Sequence, residues 1–196
     1  MIKALIIISL LDQVSTLMNS AVKISNAETN DSTDIYTLIN SAYMVEKGDT
    51  GISFKKTDRL LNPMDGLNEA YENNRIIKAE LSINNLPVIV GIITWKLLEY
   101  EFEGNHIKSI YFGPFAVSPN HQGQGIGKLL LNEIDKKAKE LNVDYLDIVV
   151  INHRSDLLPF YKKLGYVEYG TAEYPVPERL TRPSHFVKLR RPVYIS

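Results

Sequence analysis

The chain of 196 residues contains no cysteine. That absence excludes disulfide bridges, a thiolate zinc site and a cysteine nucleophile. Histidine is scarce, with four residues (His106, His121, His153 and His185). None is paired at the His-x-x-x-His spacing that sets two imidazoles on one helix face, so no metal site is expected. An excess of one charge is missing too: 22 Lys and Arg stand against 23 Asp and Glu, a formal net charge of −1. No bulk electrostatic pull toward nucleic acid or an anionic membrane is therefore expected. The basic clusters Lys136-Lys137-Lys139 and Arg190-Arg191 read as solvated faces. Repeats, low-complexity tracts and breaks in composition are also absent, and 44% of the residues are hydrophobic. This is enough for one domain with a sizeable core.

Residues 1–20 stand apart from that domain. Met1-Ile2-Lys3 followed by Ala4 to Leu11 imitates the charged and apolar regions of a secretory signal, but the run is too short to span a bilayer. No Ala-x-Ala-like site follows, and Asp12 ends the run. The segment is read as an N-terminal appendage, with a packed helix or strand, or a start upstream of a domain that begins near Met18, as the alternatives. A single domain is expected over residues 21–196.

Within the domain, Val22 to Ser25 alternates as a first strand. Asp31, Ser32 and Thr33 are candidate N-caps for a helix with Ile35, Leu38, Ile39 and Ala42 on its apolar face. A polar stretch from Glu46 to Pro63 reads as loop with a short helix, and Leu67 to Asn73 as another short helix. Apolar segments at Ile76–Ile83, Val88–Leu98 and Ile107–Val117 are separated by hairpin turns at Asn84-Asn85 and Glu103-Gly104-Asn105. Gly113-Pro114 interrupts the third of these, because proline cannot donate to a ladder and marks an edge or a bulge. Ile126, Leu130, Ile134, Ala138 and Leu141 recur at helical steps, and Tyr145 to Ile151 suits a strand buried on both faces. Strand, helix and strand in that order imply a right-handed crossover between two parallel strands. A helix follows in which Asp156 or Ser155 caps the start, Leu157, Phe160 and Leu164 point inward, and Gly165 closes the end. The tail gives an extended loop from Tyr174 to Pro177 and a final alternating strand from His185 to Arg190.

The stretch Val117-Ser-Pro-Asn-His-Gln-Gly-Gln-Gly-Ile-Gly127 joins the third apolar segment to the amphipathic helix. Gly123, Gly125 and Gly127 free the backbone to converge its N–H groups at a helix N-terminus, where the dipole favours negative charge. The first turn holds Lys128 and no carboxylate, so the sequence supplies no internal anion, and the stretch reads as a pyrophosphate cradle. A P-loop needs four residues between its first glycine and Gly-Lys, then Ser or Thr; here three separate Gly123 from Gly127 and Leu129 follows Lys128. The dinucleotide fingerprint Gly-x-Gly-x-x-Gly is not matched either. What is matched is Gln-x-x-Gly-x-Gly, at Gln122, Gly125 and Gly127. Some thirty residues on stands Pro-Phe-Tyr-x-x-Leu-Gly-Tyr, from Pro159 to Tyr166.

These two motifs, in this order, resemble those of the GNAT superfamily of N-acetyltransferases. The resemblance runs from about Val22 to Pro192 and is densest between Phe112 and Tyr169. The Asn152-x-Arg154 block and His185-Phe-Val are similar to one bacterial and fungal GNAT subgroup. The resemblance implies an α/β (α+β) GNAT acyl-CoA N-acyltransferase fold. Its mixed, mostly antiparallel sheet has a splayed parallel strand pair and helices on both faces. A bulge in the fourth strand opens a slot for pantetheine; this chain departs from its relatives in carrying Pro114 there. Acetyl-CoA is the implied co-substrate, held by Phe115, Ala116 and Val117 along the strand, by Gln122, Gly123, Gln124, Gly125, Ile126, Gly127 and Lys128 in the loop, and by Asn152 on the pantetheine arm.

The resemblance further implies direct acetyl transfer to a primary amine on a small molecule or peptide, with Tyr161 near the thioester sulfur. A phenol with an ordinary pKa near 10 is suited to protonating a thiolate. Tyr43, Glu46 and Glu80 are candidate contacts to the acceptor. Glu80, Glu99, Glu101 and His153 are candidate bases, with a water chain as the alternative, and the carboxylates around 99–103 hint at a cationic acceptor. No nucleic acid, membrane or metal is expected; the expected location is cytoplasmic, and a homodimer is compatible with the sequence. Two rival readings are a non-catalytic acyl-CoA sensing module and an interaction protein whose glycines only allow close helix packing.

Overall fold

A computed structural model describes residues 22–44, 59–180 and 182–194. The N-terminal appendage, most of the polar stretch after the first helix, and Glu46 lie outside the described residues. Strand β1 (Lys23–Asn26) is followed by a 3-10 turn, Thr29–Asp31, whose Glu28 N–H donates to the Asp31 carboxylate at 2.7 Å. That turn leads into helix α1 (Ser32–Met44), and a short helix α2 (Asn68–Glu72) precedes the sheet. Strands β2 (Ile76–Ile83), β3 (Leu86–Phe102) and β4 (Asn105–Val117) form a meander. Both of its turns use left-handed backbone, at Asn84 and Asn85 (φ 52 and 64) and at Glu103 and Gly104 (φ 50 and 77), the geometry two-residue hairpin loops require.

Helix α3 (Ile126–Glu140), strand β5 (Tyr145–Ile151), helix α4 (Leu157–Lys163), strand β6 (Val167–Glu173) and strand β7 (His185–Pro192) complete the chain. The seven strands form one sheet in the order β1-β2-β3-β4-β5-β7-β6. The β4–β5 pair is parallel and the other five pairs are antiparallel. Among the described residues, no helix is long and apolar enough to cross a membrane.

Each face of the sheet carries its own core. On one, Ile35, Leu38 and Ile39 of α1 pack with Leu67, Ile76, Ile92 and Ala116. On the other, Ile126, Leu130, Ile134 and Ala138 of α3 pack with Ile77, Ile93, Ile110, Phe112, Leu146 and Ile148. The expected helical face of α3 is the buried one, so the period-3.6 pattern identified its inner side. Helices therefore cover both faces.

Three local expectations need correction. The sequence reading passed over β6, because this edge strand is exposed along almost its whole length. A strand that buries neither face carries no alternation to be read. Helix α4 turns differently from the expected face: Tyr161 is buried, whereas Phe160 and Leu164 are 43% and 41% exposed. Leu157 and Tyr161, one turn apart, form the inner stripe, leaving Phe160 on the rim. Asp156 does not cap α4 with its side chain, because Arg154 holds that carboxylate through Nε at 2.9 Å and Nη2 at 2.8 Å. Gly165 does close the helix, at φ 87.

Helix α3 lies close on β3 because Gly91 presents no side chain. A Cβ there would stand 2.9 Å from Ile126 Cγ2 and 3.0 Å from Leu130 Cδ1. Gly91→Ala should therefore force the helix outward and destabilise the fold by about 1–3 kcal/mol. Urea titration followed by circular dichroism measures this directly, and an unchanged midpoint would remove Gly91 as the contact that sets the helix–sheet distance.

Candidate active site

Strands β4 and β5 pair over three positions, Ser109–Tyr145, Ile110–Leu146 and Tyr111–Asp147, and then part. The cause lies on β4. Where β3 supplies Thr94 between Ile93 and Trp95, β4 supplies two residues, Gly113 and Pro114, between Phe112 and Phe115. This bulge changes the parity of the strand. Ile110 and Phe112 face α3 before it, and Phe115 and Val117 pack against the same core after it. The bulged strand bends away, so the β4 backbone beyond Tyr111 borders a gap instead of β5. A cavity of about 480 Å³ fills this gap, walled by Tyr111 to Val117 on β4 and Ile148 to Ile151 on β5.

Tyr161 lines the cavity from α4. The residue is 3% exposed, and its ring is wedged between Phe160, Tyr166 and Phe112 at centroid distances of 5.1, 5.5 and 6.4 Å. Burial, and then the neighbouring phenols of Tyr43, Tyr166 and Tyr111, push its ionisation far above the ordinary value, while Arg154 pulls the other way. Tyr111 behaves alike: burial raises its pKa to about 12, Tyr43 adds to the rise and Arg59 opposes it. Both phenols are therefore neutral at any physiological pH and can donate a hydrogen bond, although burial makes them weaker acids than a free phenol.

The glycine loop stands at the far end of the same strand. Gln122 donates from Nε2 to the Val117 carbonyl at 3.2 Å, which folds the loop back on the strand end. Gly123 and Gly125 adopt φ 75 and 84, and Gly125 is the N-cap of α3. The first bond of the helix runs from Leu129 N–H to the Gly125 carbonyl at 3.1 Å. The N–H groups of Ile126, Gly127 and Lys128 thus precede the helical ladder, in a first turn without acidic residues. The Ile126 side chain is buried in the core, so its backbone alone faces outward. A Cβ at Gly127 would stand 3.3 Å from the Phe115 ring, so this glycine serves close packing of α3 on β4. The Gln124 amide donates to the Asn120 carbonyl at 3.3 Å, while its Oε1 is buried without a partner. Such a nest of unspent N–H groups fits a pyrophosphate.

The remaining expected residues divide. Phe115, Ala116, Val117, Gln122, Tyr161 and Tyr43 line the cavity. The Asn152 side-chain carbonyl accepts from His185 N–H at 3.1 Å and so ties the end of β5 to β7. Glu80 stands elsewhere, in a separate cleft beside β1, with its carboxylate 3.2 Å from Lys78 Nζ. Among the candidate bases, His153 bonds the Pro183 carbonyl at 3.1 Å. Glu99 and Glu101 lie on the β3–β4 hairpin beside His106. None of these four lines the cavity. Of the described residues that do, Asp156 is the one carboxylate, and its hydrogen bonds to Arg154 hold it below the usual range. Sequence reasoning missed Tyr111, Arg59, Arg154 and Tyr174 as cavity residues. Arg154 stood within a quoted motif block, but the other three carry no local signal.

A mixed sheet opened at its parallel pair, with an anion cradle at one end of the gap and a buried tyrosine beside it, defines an acyl-CoA transferase architecture. Residues 72–168 match the family model described as an acetyltransferase (GNAT) domain. Solved structures agree in fold. The NatC complex bound to Gag peptide and CoA aligns at TM-score 0.64 and 16% identity, covering 88% of this chain and 99% of that one. The ribosomal-protein-S18-alanine N-acetyltransferase of Escherichia coli aligns at 0.57 and 16%, over 89% and 96%. The yncA structure from Salmonella typhimurium, with its cofactor acetyl-CoA, aligns at 0.61 and 16%, over 89% and 95%. No curated protein sequence matches the chain significantly. The chain belongs to the GNAT superfamily.

The phenol shifts set a pH dependence. A tyrosine that ionises later in the folded than in the unfolded chain leaves the folded state holding the extra proton. Its contribution to stability is fully present below the unfolded pKa near 10 and is lost as pH rises toward the folded value. For Tyr111, a rise from 10.0 to about 12 corresponds to about 3 kcal/mol. Urea melts across this alkaline range should show Tyr111→Phe losing less stability than the parent protein. Parallel losses would mean that Tyr111 ionises normally.

Proposed function

We propose that the protein transfers an acetyl group from acetyl-CoA directly to a primary amine, with Tyr161 as the acid that protonates the departing thiolate. The observation that carries this reading is the shared cavity. It runs along the open edge of β4, from the strand end where Gln122 turns into the glycine loop to the buried Tyr161. Phe115, Ala116 and Val117 supply main-chain groups along that edge, and the backbone N–H groups of the loop supply the pyrophosphate site. The chemistry supplied by acetyl-CoA is an activated thioester carbonyl.

In the transfer, the amine nitrogen forms a bond to the carbonyl carbon, the carbon–sulfur bond breaks, and the sulfur keeps the electron pair. The nitrogen gives up one proton and the sulfur gains one. Tyr161 is the donor to sulfur and is restored from solvent. Because burial disfavours its phenolate, it acts first by hydrogen-bonding the sulfur and gives up its proton only as full negative charge builds there. Asp156 is a poor acceptor for the amine proton, because Arg154 keeps its carboxyl acidic. The amine therefore enters in its neutral form and passes the one proton it loses on acylation to water. Holding both reactants in one cavity supplies most of the rate. The acceptor amine belongs to a small molecule or a peptide.

Tyr161→Phe should lower kcat by about 10²–10⁴-fold with the affinity for acetyl-CoA almost unchanged. An unaltered kcat in stopped-flow assays of CoA release would take Tyr161 out of the chemistry. Calorimetric titration of acetyl-CoA tests the cradle: binding by the parent protein should be lost in Gly125→Glu, whose side chain and negative charge enter a left-handed N-cap. Absence of binding by the parent protein would sink the acetyltransferase reading, and binding without turnover of any amine would favour an acyl-CoA sensor.

A further inference from the structure

Two phenols reach the strand gap from opposite faces of the sheet. Tyr161 packs with Ile110 and Phe112 in the core on the α3 side. Side chains alternate along a strand, so Tyr111, between Ile110 and Phe112, projects toward the α1 face. Its hydroxyl lies 3.7 Å from where a Cβ on Gly113 would stand, alongside the first residue of the bulge. Tyr111 is also the last β4 residue paired with β5. Both tyrosines line the cavity, and they are near enough for the Tyr111 phenol to disfavour ionisation of Tyr161. The gap opens between them.

Acetyl transfer places charge on two atoms. As the amine nitrogen bonds to the carbonyl carbon, the π pair of the carbonyl moves onto oxygen. It returns as the carbon–sulfur bond breaks and sulfur takes the bonding pair. A donor fixed at that oxygen, in a site with little water, stabilises the transition state more than the same donor in water. Tyr161 is assigned to sulfur, so the oxygen needs another group. The main chain of the bulge offers one donor fewer than an ordinary strand, because Pro114 has no N–H. Tyr111 stands beside that bulge and keeps its proton at physiological pH. Lys96 Nζ lies over its ring, 5.3 Å from the centroid, a contact with the ring face and not with the hydroxyl.

We propose that Tyr111 is a second catalytic residue, whose hydroxyl donates to the thioester carbonyl oxygen from the α1 face while Tyr161 serves the sulfur from the α3 face. This rests on the acetyl-transfer reading and extends it to the charge that develops on oxygen.

The test reads the carbonyl bond itself. Infrared difference spectra are taken of acetyl-CoA, isotope-labelled at the acetyl carbonyl, bound to the parent protein and to variants. The carbonyl stretch should fall below its value in water on binding to the parent protein. It should move back up in Tyr111→Phe and stay low in Tyr161→Phe. Replacing Tyr111 with a ring-fluorinated tyrosine, a more acidic phenol of nearly the same size, should lower it further. In assays of CoA release, Tyr111→Phe should lose about 10²–10³-fold in kcat, with calorimetric affinity for acetyl-CoA almost unchanged. A stretch that stays low in Tyr111→Phe, one that is not lowered in the parent protein, or an unchanged kcat overturns the assignment and leaves acetyl transfer standing. Absence of acetyl-CoA binding by the parent protein overturns both.

Discussion

Three residue pairs join β4 to β5, and the site exists because the pairing stops there. Parallel strands ordinarily continue as long as both are extended, since every further pair satisfies two backbone groups. The two-for-one exchange of Gly113 and Pro114 against Thr94 ends that continuation on β4. On β5 the strand stays straight because its other edge is secured by β7 over all seven residues. One strand bends while the other is held, and the space between them is the cavity.

The hold on β5 has a chemical anchor. Asp147, the last β5 residue paired with β4, faces Arg190 in the β7 register. The guanidinium donates to that carboxylate at 2.8 and 3.0 Å and lies between the rings of Tyr145 and Tyr169, 4.4 Å from each centroid. A buried carboxylate would be costly alone; forked and stacked, it fixes the vertex from which the gap opens. The same physics operates at the Tyr161 end of the cavity, where Arg154 and Asp156 form a fork. The difference lies in exposure: Asp147 is 3% exposed and serves the frame, while the second pair borders the cavity.

Most of the frame was legible in the sequence because its elements bury one face. The apolar steps of α3, the asparagine and glycine turns of the meander and the continuous apolar run of β5 each state their environment locally. The loop was legible for a different reason: Gly123 and Gly125 occupy left-handed backbone, and a side chain there is excluded by conformation. Strand β6 left no trace, since an exposed edge strand imposes no pattern. Phe160 was misplaced because a helix of seven residues is too short for its apolar face to be averaged. Glu80 was placed in the acceptor site on strand position alone, whereas its carboxylate is engaged by Lys78 in a separate cleft. Arg59 and Tyr111 reach the cavity through tertiary packing, and no window of sequence around either residue contains that information.

The strand order has a consequence for how the protein is made. Among the described residues, strand β6 pairs with β7 alone, and β7 also supplies the second edge of β5. On the ribosome, β6 emerges before β7, and β5 is bordered by β4 alone among the described strands until the same moment. The meander, α3 and α4 can assemble from neighbouring segments, yet the far wall of the cavity is secured by β7, which follows all of them in chain order. A nascent chain paused before His185 would hold a glycine loop and a tyrosine with no rigid second strand between them. The second wall of the cavity is therefore complete only once β7 has inserted between β5 and β6, two strands that precede it in the chain.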